Sequence, residues 1–203
     1  DMGMEQESFD ASSFSQNRQR LVKSEVALKF FDAVVTEARK LGLLSDEHFS
    51  VDGTLIEAWA SMKSFQKKDG SGNDPDAGGD IDYKGEVRSN ATHESTTDPE
   101  AKLLKKGAGK EAKLSFSAHA LMDNRHGLLS AATLTQSVGC TEAEAALQMI
   151  DQCKQRKIQS IGGDKGYDSS ALVQALRKKG IAPHIAKKQN KRTAGLDGRM
   201  ASI

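Results

Sequence analysis

The chain has 203 residues, of which 37% are hydrophobic and 28% charged, and its mean hydropathy is −0.56. That length suits one domain with or without appendages, and no run approaches the roughly 20 apolar residues of a membrane span. Lys and Arg total 29 against 28 Asp and Glu, so the formal charge of +1 selects neither an acidic nor a basic partner.

The distribution of charge says more than its sum. Between Arg177 and Arg199 the cations, Lys187, Lys188, Lys191 and Arg192 among them, face the single acid Asp197. Such a block can neutralise phosphates, although it also describes a solvated tail. Cys140 and Cys153 have no close spacing and suit reduced thiols better than a disulfide framework. The opening residues, Asp1 to Glu7, lack the basic and apolar regions of a signal peptide. A cytoplasmic protein is expected.

In chain order, Ser24 is placed to cap a helix whose apolar positions Val26, Phe30, Phe31, Val34, Val35, Ala38 and Leu41 recur every three or four residues. Gly42 then stands where a left-handed C-terminal residue is wanted. Residues 1–46 are thus expected to be a helical segment, with the main domain over 47–203. A strand from Phe49 to Trp59 follows, with Phe49, Val51 and Leu55 alternating with Ser50, Asp52 and Thr54, so Asp52 lies on the more polar face. Trp59 and the phenylalanines are expected in the core. Over 64–112 the pattern collapses, and the run from Lys67 to Asp80 has almost nothing to bury; a flexible insertion is expected. Leu114, Phe116, Ala118, Ala120 and Met122 then share one face of a strand, which turns at Asn124-Arg125-His126-Gly127 and returns over Leu128 to Gln136. Thr141 with Glu144 makes a capping box. A strand over Ile158–Gly162 runs into Asp164, Ser169 or Ser170 caps a helix closed by Gly180, and Ile181–Ala186 is a last strand that Pro183 confines to an edge or a bulge. The sum is a mixed α/β sheet with an antiparallel hairpin and parallel crossovers.

Two aspartates stand out within this frame. Asp52 in Ser-Val-Asp-Gly-Thr-Leu and Asp164 in Gly-Gly-Asp-Lys-Gly-Tyr-Asp each interrupt or end an apolar run of strand type. A right-handed crossover sets the two strands side by side and brings both carboxylates together. Hard divalent cations need such a pair, since magnesium takes oxygen ligands and is held by one or two carboxylates plus substrate phosphates. Either motif alone is an ordinary turn or strand-to-helix loop.

Three other motifs fail. His93-Glu94-Ser95-Thr96-Thr97 lacks the second histidine of a zinc-protease helix. Gly107-Ala108-Gly109-Lys110 has Leu104 where the first glycine of a phosphate loop belongs, and Glu111 where Ser or Thr is needed. Asp52-Gly53-Thr54-Leu55 matches the haloacid-dehalogenase phosphatases, but Ser50 occupies the place of their nucleophilic aspartate. That phosphatase reading is the less favoured enzyme alternative. His93 and His119 are the most site-like histidines, each also explained as a surface or half-buried ring.

At these residues the chain resembles bacterial insertion-sequence transposases of the DDE superfamily, group four/five type. The likeness is carried by Phe49 to Ser61, by Arg88 to Ala101, by Ala118 to Leu128 and by Gly163 to Asp168, and it runs from about Phe9 to Arg199. It implies an RNase-H-like mixed sheet with flanking helices and a long polar insertion after the first strand. It also implies metal-dependent cleavage and strand transfer at transposon ends, with Mg2+ or Mn2+ as cofactor and double-stranded DNA as partner. Asp52 and Asp164 match the first two acidic ligands. Arg88, His93, Lys165, Tyr167, Lys187 and Lys188 are the expected DNA contacts. The family's third ligand is a glutamate on a helix after the last strand, and nothing after Ile181 matches its Tyr-Arg-Glu-Lys type signature. The expectation is therefore a core incomplete at its C-terminus and inactive alone, acting with itself or with a full-length transposase. The alternative is a non-catalytic DNA-binding or regulatory remnant.

Overall fold

A computed structural model describes residues 10–23, 25–45, 47–70, 82–83, 86–105, 107, 109–136, 138–153 and 157–188. The chain divides into two compact units, Asp1–Leu44 and Ser45–Ile203. The first contains α1 (Ala11–Lys23) and α2 (Val26–Lys40). Glu25, in the left-handed region at φ 55°, precedes α2 and makes no side-chain cap bond; Ser24, the expected cap, lies outside the described residues. The C-terminal end follows expectation. Gly42 takes φ 69°, and the N–H groups of Gly42 and Leu43 bond to the carbonyls of Arg39 and Ala38. The periodic apolar residues of α2 are not core, since none of them is buried.

The second unit carries ten strands among the described residues. The first six are β1 (His48–Glu57), β2 (Phe65–Lys67), β3 (Asp82–Tyr83), β4 (Glu86–Val87), β5 (His93–Ser95) and β6 (Lys102–Lys105). The hairpin β7 (Ala112–Asp123) and β8 (Leu129–Gln136) leads to α3 (Glu142–Gln152), β9 (Ser160–Gly163), α4 (Ser170–Lys178) and β10 (Ala182–Ile185). The main sheet runs β10-β9-β1-β7-β6, with β8 also paired to β7. β1 is antiparallel to β7 and parallel to β9, and β10 is parallel to β9. Pro183 thus sits on an edge strand, where a missing N–H is tolerated.

The core is built from alternation in the strands and from the apolar faces of two helices. Phe49 and Val51 of β1, Leu121 of β7 and Ile161 of β9 pack with Ala146 and Met149 of α3 and with Leu172 and Leu176 of α4. Seven of these eight are under 2% exposed, and each fully buried large side chain contributes about 1.5–3 kcal/mol through lost contact with water. Thr141 opens α3 as the spacing foretold. Its Oγ1 accepts from the Glu144 N–H at 3.2 Å, and its own N–H donates to Glu144 Oε2 at 2.8 Å. Thr141→Ala should cost about 1 kcal/mol by leaving the Glu144 N–H to water, measurable as a lower urea midpoint with an unchanged slope.

Three expectations need correction. Trp59 is 97% exposed, because β1 ends at Glu57 and the ring falls beyond the sheet. In β7 the even-numbered face from Leu114 to Met122 is not the buried face throughout: Leu121, His119 and Asp123 are buried while Met122 is 41% exposed. The reason is that α3 covers only the odd-numbered side of that half of the strand. Finally, 64–112 is not patternless among its described residues. β2 pairs with β5, β6 pairs with β7, and Ala60, Phe65, Ala101 and Leu114 form a small second core. Much of the polar run that suggested flexibility, 71–81, lies outside the described residues.

Candidate metal and nucleic-acid site

The parallel ladder between β1 and β9 pairs His48 with Ser160, Phe49 with Ile161 and Ser50 with Gly162. Asp52 lies two residues further along β1, and Asp164 two residues past Gly162, just beyond the end of β9 at Gly163. The ladder thus brings the two aspartates to neighbouring strands, which lie about 4.8 Å apart in a sheet. Both side chains are exposed, and each has one oxygen anchored by a backbone amide. Gly53 N–H donates to Asp52 Oδ1 at 2.8 Å, and Gly166 N–H donates to Asp164 Oδ1 at 2.7 Å. Asp164 is also the residue that caps the 3-10 turn over Lys165–Tyr167. A carboxylate so anchored loses less freedom when it takes a cation.

A third carboxylate approaches this pair. Glu142 stands at the first position of α3, and its acidity is weakened, first by burial and then by the negative charges of Asp164 and Asp52, with Lys188 opposing. Its Oε2 and Asp164 Oδ1 both lie 2.8 Å from where a Cβ on Gly166 would stand. Its Oε1 lies 3.3 Å from the corresponding point on Gly53, with His119 Nδ1 at 3.4 Å and Tyr167 Oη at 3.5 Å from that same point. Gly53 is paired with His119 across β1 and β7, so the absent side chain opens the space that these three polar atoms share.

The polar atoms around that space are buried and lack partners. His119 Nδ1 and Tyr167 Oη make no hydrogen bond, although the residues are only 2% and 1% exposed. Burial holds the His119 ring below its ordinary pKa, so it is neutral at neutral pH. Its Nε2 is 3.0 Å from Thr135 Oγ1, and that hydroxyl is directed to the Ser117 carbonyl at 3.5 Å. In the tautomer that donates from Nε2 to Thr135, the lone pair is on Nδ1. Burial, and then the charges of Glu142, Asp52 and Asp164, push the Tyr167 phenol far up, so it remains a donor. Gly53, His119, Cys140, Glu142 and Asp164 line an open cleft of about 450 Å³. Among the described residues, no three His, Cys, Asp or Glu groups close on a point suited to a metal ion.

The expected DNA contacts separate into two kinds. Lys165 and Lys187 are exposed, and Lys188 is half-buried at the rim, its Nζ 3.3 Å from the Gly166 carbonyl. Its backbone N–H donates to the fully buried Asp168, which fixes the chain at that point. Arg88, His93 and Tyr167 are instead buried and cannot present cationic or aromatic groups to a duplex in this conformation. His93 stacks on Phe65 in the small core, where its aromatic face is more useful than its charge. Tyr167 lies under the site with its hydroxyl toward Gly53. Ser50, in the place of a phosphatase nucleophile, donates its hydroxyl to Asn124 Oδ1 at 2.8 Å.

Glu142 was missed in the sequence. Thr-Glu-Ala-Glu reads as an ordinary acidic first turn with Glu144 in the capping box, and nothing local marks Glu142 for a site. Only its packing beside Gly53 and Gly166 does.

A five-strand path β8-β7-β1-β9-β10, with one antiparallel hairpin, two parallel neighbours of β1 and β9, and carboxylates on β1 and just past the end of β9, defines an RNase-H-like core. The family model described as "Transposase DDE domain" matches residues 45–201, and the chain belongs to that family. No curated protein and no solved structure matches it. Among the described residues, no helix is long and apolar enough to cross a membrane.

Proposed function

We propose that this chain carries the metal-dependent centre of a DNA-cleaving and strand-transferring transposase of the insertion-sequence type. The parallel pairing of β1 with β9, which carries Asp52 on one strand and Asp164 just past the end of the other, supports it best, together with membership of the transposase family. Asp52 and Asp164 would hold Mg2+ or Mn2+, and the donor set fits, being two exposed carboxylates each anchored through one oxygen. When bound, the metal supplies charge stabilisation for the entering and leaving oxygens of a phosphodiester and lowers the pKa of a bound water.

The chain's own residues do the remaining work. Gly53 and Gly166 amides keep the two carboxylates aimed. Lys165, Lys187 and Lys188 offer cations to the DNA backbone next to the acids, which contributes affinity that weakens with salt and carries no sequence information.

The test is nicking of supercoiled plasmid by the purified chain with Mn2+ or Mg2+, beside Asp52→Asn and Asp164→Asn. Metal-dependent cleavage that is lost, by at least about a hundredfold, in either variant supports the proposal and replaces the expectation of a chain inactive alone, since each variant removes a charge the metal requires. Cleavage unaffected by both substitutions sinks the proposal. Retained DNA binding without cleavage by the parent chain favours the binding-only alternative.

A further inference from the structure

Asp52 and Gly53 point to opposite faces of β1, because side-chain positions alternate along a strand. The metal site read from Asp52 and Asp164 therefore has a second side, under Gly53, where α3 and β7 bring up their own polar groups. Four observations meet there. Glu142 Oε2 and Asp164 Oδ1 are each 2.8 Å from one point beside Gly166, so they are no farther apart than twice that distance. Glu142 Oε1 and His119 Nδ1 flank the gap at Gly53. His119 Nδ1 is buried and has no partner, and it offers a lone pair in the tautomer that donates from Nε2 to Thr135. Tyr167 Oη, also buried and without a partner, stands beside them as a donor.

We propose that Glu142 joins Asp164 in holding a divalent cation, with His119 Nδ1 as the third donor, so that the metal site extends through the gap at Gly53 to the α3 side of the sheet. Two exposed carboxylates and a buried imidazole nitrogen without a partner converge on this gap, with the Tyr167 hydroxyl beside them. A cation answers all three at once; a neutral water answers the lone pair but not the paired negative charges. The three groups do not close on one point in this conformation. Like charges hold Glu142 and Asp164 apart, and a divalent ion reverses that sign. An ion takes oxygens at about 2.1–2.5 Å, so rotation of the Glu142 side chain by a fraction of its reach is enough. Tyr167 would then donate to the metal-bound Glu142 carboxylate, a role in which a tyrosine that stays protonated is required. An oxygen and nitrogen donor set suits Mn2+ better than an all-oxygen magnesium site does.

This inference rests on the reading of Asp164 as a metal ligand, and its experiment separates the two. Mn2+ binding to the purified chain is followed by electron paramagnetic resonance, in the parent and in Asp52→Asn, Asp164→Asn, Glu142→Gln and Glu144→Gln variants. Glu142→Gln is expected to weaken Mn2+ by at least the roughly 10–100-fold that loss of a group behind a ligand costs. Glu144→Gln, one helical neighbour away and engaged only in the Thr141 cap, should bind as the parent does. The spin-echo spectrum of bound Mn2+ should show nitrogen coupling that is lost in His119→Ala. In EDTA, Glu142→Gln should melt at or above the parent's temperature because a like-charge neighbour is gone, which shows that the variant is folded. Mn2+ binding by Glu142→Gln within about threefold of the parent, or no nitrogen coupling in the parent, overturns the inference while leaving Asp52 and Asp164 as ligands if their variants lose the ion. A parent that binds no Mn2+, or whose binding survives Asp164→Asn, overturns both.

Discussion

Asp123→Ala should destabilise the second unit by about 3 kcal/mol, the cost of removing a fully buried carboxylate that accepts from three part-buried donors. The side chain is fully buried, and its Oδ2 accepts from both the N–H and the hydroxyl of Ser45 at 2.7 Å. Its Oδ1 accepts from the Arg125 N–H at 2.9 Å. One carboxylate thus fastens the entry to β1 and the turn of the β7–β8 hairpin, while its backbone N–H bonds to the Leu128 carbonyl. Alanine leaves all three side-chain bonds unmade. Asparagine keeps one acceptor oxygen and should lose roughly half as much. Chemical denaturation monitored by circular dichroism reads both values. A loss under about 1 kcal/mol for the alanine variant would mean that water replaces the carboxylate, and the anchoring role would be wrong.

Gly166→Ala should do the opposite: keep the fold and disable the site. Gly166 has no positive φ, so its backbone accepts alanine. The new Cβ, however, would stand 2.8 Å from both Asp164 Oδ1 and Glu142 Oε2, closer than such atoms can approach. Both are ends of side chains and can swing away, which spares stability. Swinging Asp164 breaks its bond to the Gly166 amide and turns the carboxylate from its anchored direction. Melting should change little, while Mn2+ affinity falls by roughly 10–100-fold, the scale for losing a group that orients a ligand. Calorimetry on the folded variant decides it; parent-like affinity would show that the Asp164 orientation is immaterial.

Much of this architecture could be read in advance because the signals are local. Alternation in Phe49-Ser50-Val51-Asp52, the Thr141 and Glu144 box, the left-handed glycines at 42, 127 and 180, and Pro183 at an edge are each decided by a few neighbouring residues. So was the pair of Asp52 and Asp164, since two short apolar runs separated by a hairpin and a helix admit few sheet orders, and a parallel crossover sets them side by side. The segment 64–112 resisted for the reverse reason. Its small core draws Phe65, Ala101 and Leu114 from distant positions, and none of them sits in a periodic run long enough to announce a strand.

Local pattern therefore determined most of the elements outside 64–112, the parallel pairing of the strands that lead to Asp52 and Asp164, and the hairpin beside them. Tertiary packing decided which polar residues face the site. Arg88 and His93 looked like groups for a ligand and are buried, Tyr167 is buried under the site, and Glu142, unmarked in the sequence, is brought beside Asp164. The physical reason is that a side chain's neighbours across a sheet or under a helix are set by register and packing, and a missing Cβ at Gly53 or Gly166 has consequences only for whatever the fold carries to that spot.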